Sequence, residues 1–517
     1  MTLSGQSGGS LWVDYDPGPE YPSLTSDIRV DVAVIGAGMA GLCTARELSR
    51  SGNMVALLEA DRIAYGVSGH TTAKVSALQG LAYSRIRKTR GDDAARQYAE
   101  SQQDAVAYLR QLAEELGVDC DLEPVTAYTY VTDPDRREEL REEADAAQVA
   151  GLDARYVEKT PLPFPVSAAV RLDDQAQFHP RKFLLGIAAD LTRNGGRIFE
   201  RTRVTDLKEG VPCRLTTSAG HAIEATDVVV ATHYPVFDRG LLFTRLEPKR
   251  EVVVAGPVPP ECLAPEGMFL TDEDNTRSIR TAPHDEGRML IVTGEKFTPG
   301  DPKDQGAAWH FQVLTDWACR HFKDFAVTRR WATQDTFSTD HVPYVGRLHP
   351  RGDHTYVATG FGGWGLSGGM MAARLLSSLV TGTPSPWAGL YDPARFHPLA
   401  EGPSMLRLGA KTARHLVADR LPGGHADSVD DIGPGQGAVL RSKGEGLQAV
   451  HRDASGTLHR LSARCTHLGC IVHFNEAEAA WECPCHGSRF DVNGTVLQGP
   501  AVHPLESYNH DQEGEER

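Results

Sequence analysis

A glycine-rich turn between an apolar strand and a helix constrains this chain more than any other feature of its sequence. Residues 30–35 are an apolar, β-branched run typical of a buried parallel strand, and a helical pattern follows over residues 40–51. Three glycines in the spacing G-x-G-x-x-G follow the strand and extend into the start of the helix, and they are Gly36, Gly38 and Gly41. Residues 54–59 read as a second strand. This pattern predicts a βαβ unit with a dinucleotide pyrophosphate at the helix N-terminus.

The nucleotide itself needs further signals, because the glycine fingerprint does not separate NAD from FAD. Glu59 ends the second strand, where a carboxylate can accept hydrogen bonds from ribose hydroxyls. A polar loop over residues 66–74 and a strand over residues 228–232 favour FAD. So does the glycine-rich loop 359–365, which opens a helix whose dipole can face the flavin pyrimidine, where negative charge collects on reduction.

Together these segments resemble the D-amino-acid-oxidase-like flavoproteins, the group of the glycine and sarcosine oxidases, over about residues 31–382. Residues 331–346 also resemble the family's segment before its last strand. The resemblance implies FAD as cofactor and removal of a hydride from the carbon next to an amine nitrogen. Its implied cofactor-binding residues are Gly36, Gly38, Gly41, Glu59, Ser68, Gly69, His70, Thr71, Thr72, Val204, Thr232, Gly346, Gly362, Gly363, Gly365 and Leu366.

Two residues of the polar loop have open roles. His70 stands where some relatives link the flavin covalently through a ring nitrogen, and the alternative is a hydrogen-bonding loop residue beside a non-covalent flavin. Lys74 is either a neighbour of flavin N5 or a surface ion-pair partner.

The substrate pocket is less well marked. In strand-like segments that the family places over the flavin, Arg280 and Lys296 are candidates to hold a substrate carboxylate by a charge-assisted bond. Trp331 and Trp364 are candidates for its walls. For all four, ordinary surface charge or core packing is the alternative interpretation.

A second constellation near the C-terminus joins two thiolates to two imidazoles. Its two loops carry the patterns C-x-H and C-P-C-H, and the residues are Cys465, His467, Cys470, Cys483, Cys485 and His486. Thiolates favour an iron–sulfur cluster, and neutral imidazoles on one iron raise its potential. A tetrahedral zinc site accepts the same ligand types, although this order of residues differs from common zinc spacings.

This stretch resembles the respiratory type of Rieske [2Fe–2S] domain over about residues 430–508. The resemblance implies that Cys465 and Cys483 bind one iron and that His467 and His486 bind the other. It also implies a disulfide that pins the two cluster loops, and its residues are Cys470 and Cys485.

Near the cluster loops the sequence both matches and departs from the respiratory pattern. Ser488 matches a hydroxyl that hydrogen-bonds a cluster sulfur, but Phe490 stands where that pattern usually has Tyr. Because Phe490 cannot donate a hydrogen bond near the cluster, we expect a reduction potential below the top of the Rieske range. The loop 499–503 also departs, which puts the family's quinol-docking surface in doubt.

Charge and composition exclude several classes of partner. The 517-residue chain carries 69 acidic and 53 basic side chains, for a formal net charge of −16. This balance argues against nucleic acid or anionic lipid as the main partner. The sequence shows neither a secretory signal nor a membrane-spanning run, so we expect a cytoplasmic protein.

We expect an α/β plus all-β chain. An N-terminal lead-in (1–29) precedes an FAD-dependent oxidoreductase (30–382), a linker with a short helix at 406–421 (383–429) and a Rieske β-domain (430–508). In the oxidoreductase, a Rossmann-like FAD-binding domain (about 30–90, 177–240 and 331–382) lies under a mixed-sheet substrate domain (about 91–176 and 241–330).

The two motif sets together resemble bacterial flavin-dependent oxidoreductases with a C-terminal Rieske domain. They predict oxidation of a small amine or amino-acid-like substrate, with electrons passing from FAD through the [2Fe–2S] cluster to an external acceptor. The alternative is a protein in which the flavin and the Rieske cluster only relay electrons from NAD(P)H or from a partner protein, either for electron transfer or for redox sensing. A reductase usually needs a second dinucleotide fingerprint, and none occurs between residues 66 and 360. A Rieske oxygenase would need a further iron site of two His and a carboxylate.

Overall fold

The computed structural model describes residues 9–14, 18–237, 239–259, 262, 264–273, 275–284, 287–420, 428–442 and 446–508. The helices are α1 (Met39–Arg50), α2 (Ala82–Arg90), α3 (Asp92–Leu116), α4 (Arg137–Val149), α5 (Pro180–Arg193), α6 (Ala307–His321), α7 (Gly365–Val380), α8 (Ala388–Tyr391) and α9 (Pro398–Ala418). Within the described part of the chain, no helix combines the length and the apolar character needed to cross a membrane.

The strands of the oxidoreductase part fall into two sheets. They are β1 (Ile28–Ile35), β2 (Val55–Leu58), β3 (Lys74–Val75), β4 (Glu123–Val131), β5 (Arg155–Val157), β6 (Ala168–Gln177), β7 (Arg197–Phe199), β8 (Val204–Lys208), β9 (Cys213–Thr217), β10 (Ala222–Val230), β11 (Leu246–Pro257), β12 (Met268–Thr271), β13 (Arg277–His284), β14 (Gly287–Phe297), β15 (Arg329–Ser338), β16 (Tyr344–Arg347) and β17 (Thr355–Thr359). The Rieske part adds β18 (Gly437–Ser442), β19 (Gly446–Arg452), β20 (Leu458–Ser462), β21 (His473–Asn475), β22 (Ala480–Glu482), β23 (Arg489–Asp491) and β24 (Val496–Gln498).

The first sheet has the order β16-β17-β10-β1-β2-β7. Strands β17, β10, β1, β2 and β7 run parallel, and β16 joins the edge antiparallel. Helix α1 follows β1 and packs against α7 and α5, so apolar side chains cover this face of the sheet. The arrangement is the predicted Rossmann-like unit, and the glycine turn lies at the carboxyl end of β1.

The second sheet has the order β15-β11-β14-β13-β12-β4-β6-β3. It is mixed, because β12 and β4 pair in parallel whereas the other neighbours in this order are antiparallel. Helix α6 packs against β11 and β14. With the small Rieske sheets β18-β19-β20 and β21-β22-β23-β24, this confirms the predicted fold class.

Three elements differ from the sequence prediction. Strand β15 pairs with β11 and strand β3 pairs with β6 in the second sheet, although residues 331–338 and 74–75 were expected in the FAD-binding part. Helix α9 begins at Pro398, whereas the sequence predicted a helix only from residue 406 of the linker. The extra turns are held by Glu401, which is buried and ion-paired with Arg245 at 2.8 Å. The predicted end of this helix at residue 421 lies outside the described residues.

Candidate active site and cluster-binding site

A cavity of about 800 Å³ lies between the two sheets of the oxidoreductase part and is closed on one side by the Rieske part. Its volume is within the range of about 300–1,000 Å³ found for small-molecule and cofactor sites. The Rieske residues on its wall are Ala477, Glu478, Arg489, Leu497, Gln498, Gly499 and Val502. The cavity is therefore shared by both parts of the chain.

The glycine turn has the geometry that a dinucleotide requires. Gly36 has a φ of +99°, and a Cβ on Gly41 would lie 1.9 Å from the Gly36 carbonyl oxygen, so strand and helix can pack this closely only without side chains. The Glu59 carboxylate accepts the backbone N–H of Ala37 at 2.7 Å, and burial raises the pKa of this group. Its position at the end of β2 fits a ribose partner.

Most of the predicted site residues line the cavity. Those expected around the cofactor are Gly36, Gly38, Glu59, Ser68, His70, Thr71, Thr72, Val204, Thr232, Gly362, Gly363, Gly365 and Leu366. The substrate candidates that line it are Lys296, Trp331 and Trp364.

Four of the predicted residues lie outside the cavity wall. Gly41 and Gly69 pack against backbone carbonyl oxygens, and Gly346 faces the Pro393 ring. Arg280 is buried, and its guanidinium donates to the carbonyl oxygens of Thr72 (3.1 Å) and Ala73. Because these donors face the polar loop, Arg280 supports the backbone of that loop and does not reach a substrate carboxylate in the cavity.

The polar loop carries His70 at the boundary with the Rieske part. His70 Nδ1 lies 3.0 Å from the Gly66 carbonyl oxygen, and Trp331 Nε1 donates to the His70 carbonyl at 2.9 Å. Since a carbonyl oxygen only accepts, Nδ1 carries the proton and Nε2 is the basic nitrogen. Burial lowers the pKa of His70, so the ring is neutral. A covalent and a non-covalent role both fit this geometry.

Lys74 extends into the cavity from β3. Its Nζ donates to the Ser278 hydroxyl and lies 6.0 Å from the centre of the Trp364 ring. Burial lowers the pKa of Lys74 to about 7, and the Glu251 carboxylate only partly opposes this effect. Lys74 is therefore a cavity base near neutral pH and not a surface ion-pair partner.

Lys296 lines the cavity and is already paired. Its Nζ lies 3.3 Å from the Glu251 carboxylate. Asp335 lies on the same wall and accepts the backbone N–H of Thr336 at 2.7 Å. Burial raises the pKa of Asp335 to about 7, which puts a second proton-exchanging group in the cavity.

In the Rieske part the two predicted thiolate ligands lie side by side, and so do the two predicted imidazole ligands. Cys465 and Cys483 are buried, and the rings of His467 and His486 lie 4.9 Å apart at 89°. His467 Nδ1 and both ring nitrogens of His486 are buried with no hydrogen-bond partner among the described residues. Burial lowers the pKa of His467 to about 4 and that of His486 to about 3, so both rings are neutral and able to bind a metal. This donor set fits a [2Fe–2S] cluster.

The cluster loops are joined as the resemblance implies. Cys470 and Cys485 form a disulfide, so of the four cysteines in these two loops Cys465 and Cys483 are left to offer thiolates. The Ser488 hydroxyl accepts the backbone N–H of Ala501 at 3.0 Å.

The contacts between the two parts of the chain are the feature that the sequence did not reveal. Arg250 on β11 donates to Glu478 and Glu482 of the Rieske part. Gln334 Nε2 on β15 donates to the carbonyl oxygen of Gly487 at 3.1 Å. These residues belong to no recognisable sequence motif, and only the tertiary structure brings them together.

A dinucleotide-binding sheet under a mixed sheet, beside a site of two cysteines and two histidines, defines an FAD-dependent oxidoreductase with a Rieske [2Fe–2S] module. The chain belongs to the FAD dependent oxidoreductase family, whose model (DAO) matches residues 31–379. The Rieske [2Fe-2S] domain model matches residues 425–509. FAD and a [2Fe–2S] cluster are its cofactors, and the Rieske domain implies electron transfer to an acceptor.

Known proteins match both parts. The Rieske 2Fe-2S iron-sulfur protein YhfW of Bacillus subtilis (strain 168) is 32% identical over 494 residues, which covers 95% of this chain and 96% of that protein. Gamma-glutamylputrescine oxidoreductase of Escherichia coli (strain K12) is 23% identical over 411 residues, covering 76% of this chain and 91% of that one. Glycine oxidase from Geobacillus kaustophilus shares the fold, with a TM-score of 0.59, 19% identity and coverage of 71% of this chain and 99% of that chain.

Proposed function

We propose that this protein oxidises a carbon–nitrogen bond of a small amine or amino-acid-like substrate and delivers the electrons one at a time to an external acceptor. FAD supplies hydride acceptance at this site, and the [2Fe–2S] cluster supplies single-electron transfer. The observation that carries the proposal is the shared cavity, whose wall includes the glycine turn of the first sheet and the Rieske segment 477–502.

The charges of the cavity support an amine substrate. Because an amine arrives protonated at neutral pH, it must lose a proton before a hydride can leave the neighbouring carbon. Lys74, with a pKa of about 7, accepts that proton. Trp364, beside Lys74, covers the apolar portion of the substrate.

The position of Lys296 supports a role in orientation. Its pairing with Glu251 leaves a dipolar site rather than a free cation, so an amino-acid-like substrate is held by Lys296 through its carboxylate and by Glu251 through its nitrogen. The gamma-glutamylputrescine oxidoreductase matches most of this chain, and the compound in its name contains carbon–nitrogen bonds. This match also supports a substrate with such a bond.

The test is anaerobic stopped-flow mixing of the purified protein with a panel of secondary amines and small amino acids. We expect flavin bleaching followed by the electron paramagnetic resonance signal of the reduced cluster. A Cys465→Ala variant, which lacks a cluster ligand, should keep flavin reduction and lose the cluster signal. Substrate-reduced flavin with a cluster that is never reduced contradicts the proposal. Reduction by NAD(P)H, with no response to amines, identifies a reductase instead.

The domain boundaries near residues 382 and 430 and the cytoplasmic location remain predictions. Limited proteolysis of the full chain tests the boundaries, and cell fractionation tests the location.

A further inference from the structure

The two histidine ligands of the cluster site differ in their surroundings. His486 is only 1% exposed, and its ring centre lies 6.0 Å from that of Tyr234 and 5.8 Å from that of Phe243, both in the oxidoreductase part. His467 is partly exposed, and the next residue, Leu468, is 44% exposed. One edge of the cluster site therefore faces the oxidoreductase part and the other faces solvent.

The residues that cover His486 continue directly into the wall of the flavin cavity. Thr232 and His233 line that cavity, and Tyr234 follows them in the chain. His233 is itself held by the Thr336 hydroxyl, 3.1 Å from its Nε2. One short segment thus contacts the cavity at one end and His486 at the other.

A second contact fixes the same loop. Gln334 lines the cavity and donates to the carbonyl oxygen of Gly487, the neighbour of His486. A Cβ on Gly487 would lie 2.5 Å from Gln334 Nε2 and 2.9 Å from Pro248 Cβ, and its φ is +76°. Only glycine allows the loop to approach β15 and β11 this closely.

We infer that His486 is the ligand through which the cluster receives electrons, and that Gln334 and Tyr234 are positioning residues that hold its loop against the flavin cavity. This inference rests on the proposed function and specifies its electron path. The transfer takes place with the Rieske part docked as it is here, without a swing of the domain between two positions.

The redox steps balance as two single-electron transfers. In each, the reduced flavin loses one electron and one ferric iron of the cluster becomes ferrous. The cluster then passes this electron to an external one-electron acceptor and returns to the diferric state before the second transfer. After both, the flavin is oxidised and its protons have gone to solvent.

The test separates this path from substrate chemistry. In the substrate-free holoenzyme, pulse radiolysis reduces the flavin, and the reoxidation of the flavin is followed by its absorbance. Electron paramagnetic resonance spectra of rapidly frozen samples record the reduction of the cluster. We expect Gln334→Leu and Tyr234→Leu to slow the transfer severalfold, because a loop that is no longer held against the cavity lies farther from the flavin and electron tunnelling falls steeply with distance. Tyr234→Phe, which keeps the ring, should restore the rate, and Gln111→Leu on the exposed face of α3 should have no effect.

Two further readouts keep the inference falsifiable. Flavin and iron contents equal to those of the unaltered protein show that the variants fold, and hydrogen exchange over residues 483–489 should rise in Gln334→Leu. Added glycerol should leave the rate unchanged, whereas a rate that falls with viscosity means that the domain must move. Unchanged transfer in both leucine variants overturns the role of His486. If no amine reduces the flavin but electron transfer from flavin to cluster is normal, the proposed substrate is wrong and the electron path through His486 is not contradicted.

Discussion

Arg250 on β11 and Glu482 on β22 form an ion pair whose side chains are only 1% and 2% exposed. Glu482 also accepts the backbone N–H of Gly300 at 3.1 Å and the guanidinium of Arg489 at 3.1 Å. A buried carboxylate keeps its charge only with such partners. The pair therefore fixes the Rieske part against the second sheet of the oxidoreductase part.

Removal of the cation should loosen this interface. We expect Arg250→Met to destabilise the protein by about 3–5 kcal/mol, because Glu482 would remain buried, and Glu478 partly buried, with too little compensating charge. Thermal unfolding and hydrogen exchange of β22 measure the effect. Arg407→Met is the matched control, since Arg407 is 71% exposed in its pair with Glu247 and should change stability by less than about 1 kcal/mol. Equal Tm shifts in the two variants would contradict the interpretation.

Lys74 should set the pH dependence of flavin reduction. Burial lowers its pKa to about 7, so the neutral base predominates above that pH and the protonated form below it. The rate of flavin reduction by a saturating amine should therefore rise through about pH 7. Lys74→Met should slow it by about 10²-fold or more and remove this step. The exposed Lys323→Met serves as control, and a Lys74→Met profile that keeps its step near pH 7 would assign the titration to another group, with Asp335 the next to test.

The disulfide between Cys470 and Cys485 should retain the cluster without binding it. It closes a loop with a sequence separation of 15, for which the chain-entropy model gives about 3 kcal/mol. A double change of both residues to Ser should leave the cluster spectrum intact and make the cluster bleach faster during storage or mild heating. Cys319→Ser, at an exposed free cysteine, should bleach at the normal rate. Unchanged bleaching in the double variant would argue against a stabilising role.

The exposed edge beside His467 should serve the external acceptor. Leu468→Ser removes an apolar contact from this surface without adding a charge, and we expect the KM for a protein acceptor, cytochrome c, to rise about tenfold, equivalent to about 1.4 kcal/mol. Ferricyanide, which is small, should be reduced at the normal rate, as should the flavin. Leu406→Ser, at a still more exposed leucine on α9, is the control. A similar rise in the KM for ferricyanide would mean that the substitution disturbs the cluster itself and not the docking of a protein acceptor.

Local patterns in the sequence were enough to predict much of this protein. The strand, glycine turn and helix over residues 28–50 depend on backbone conformation and nearby packing, so their motif identifies them without the rest of the chain. The Cys and His loops of the Rieske part are equally local, because chelation needs particular residue types at short spacing. The sequence thereby determined the fold class and both cofactors.

The tertiary structure alone decided which residues face which. Arg280 has the charge to bind a carboxylate, yet the packing of β13 turns its guanidinium toward the polar loop. Gln334 and Gly487 are 153 residues apart and follow no motif, but they join the flavin cavity to the cluster loop. Such contacts arise where two distant parts of the chain pack together, and the shape and buried charge of these surfaces depend on the whole chain and leave no periodic pattern in the sequence.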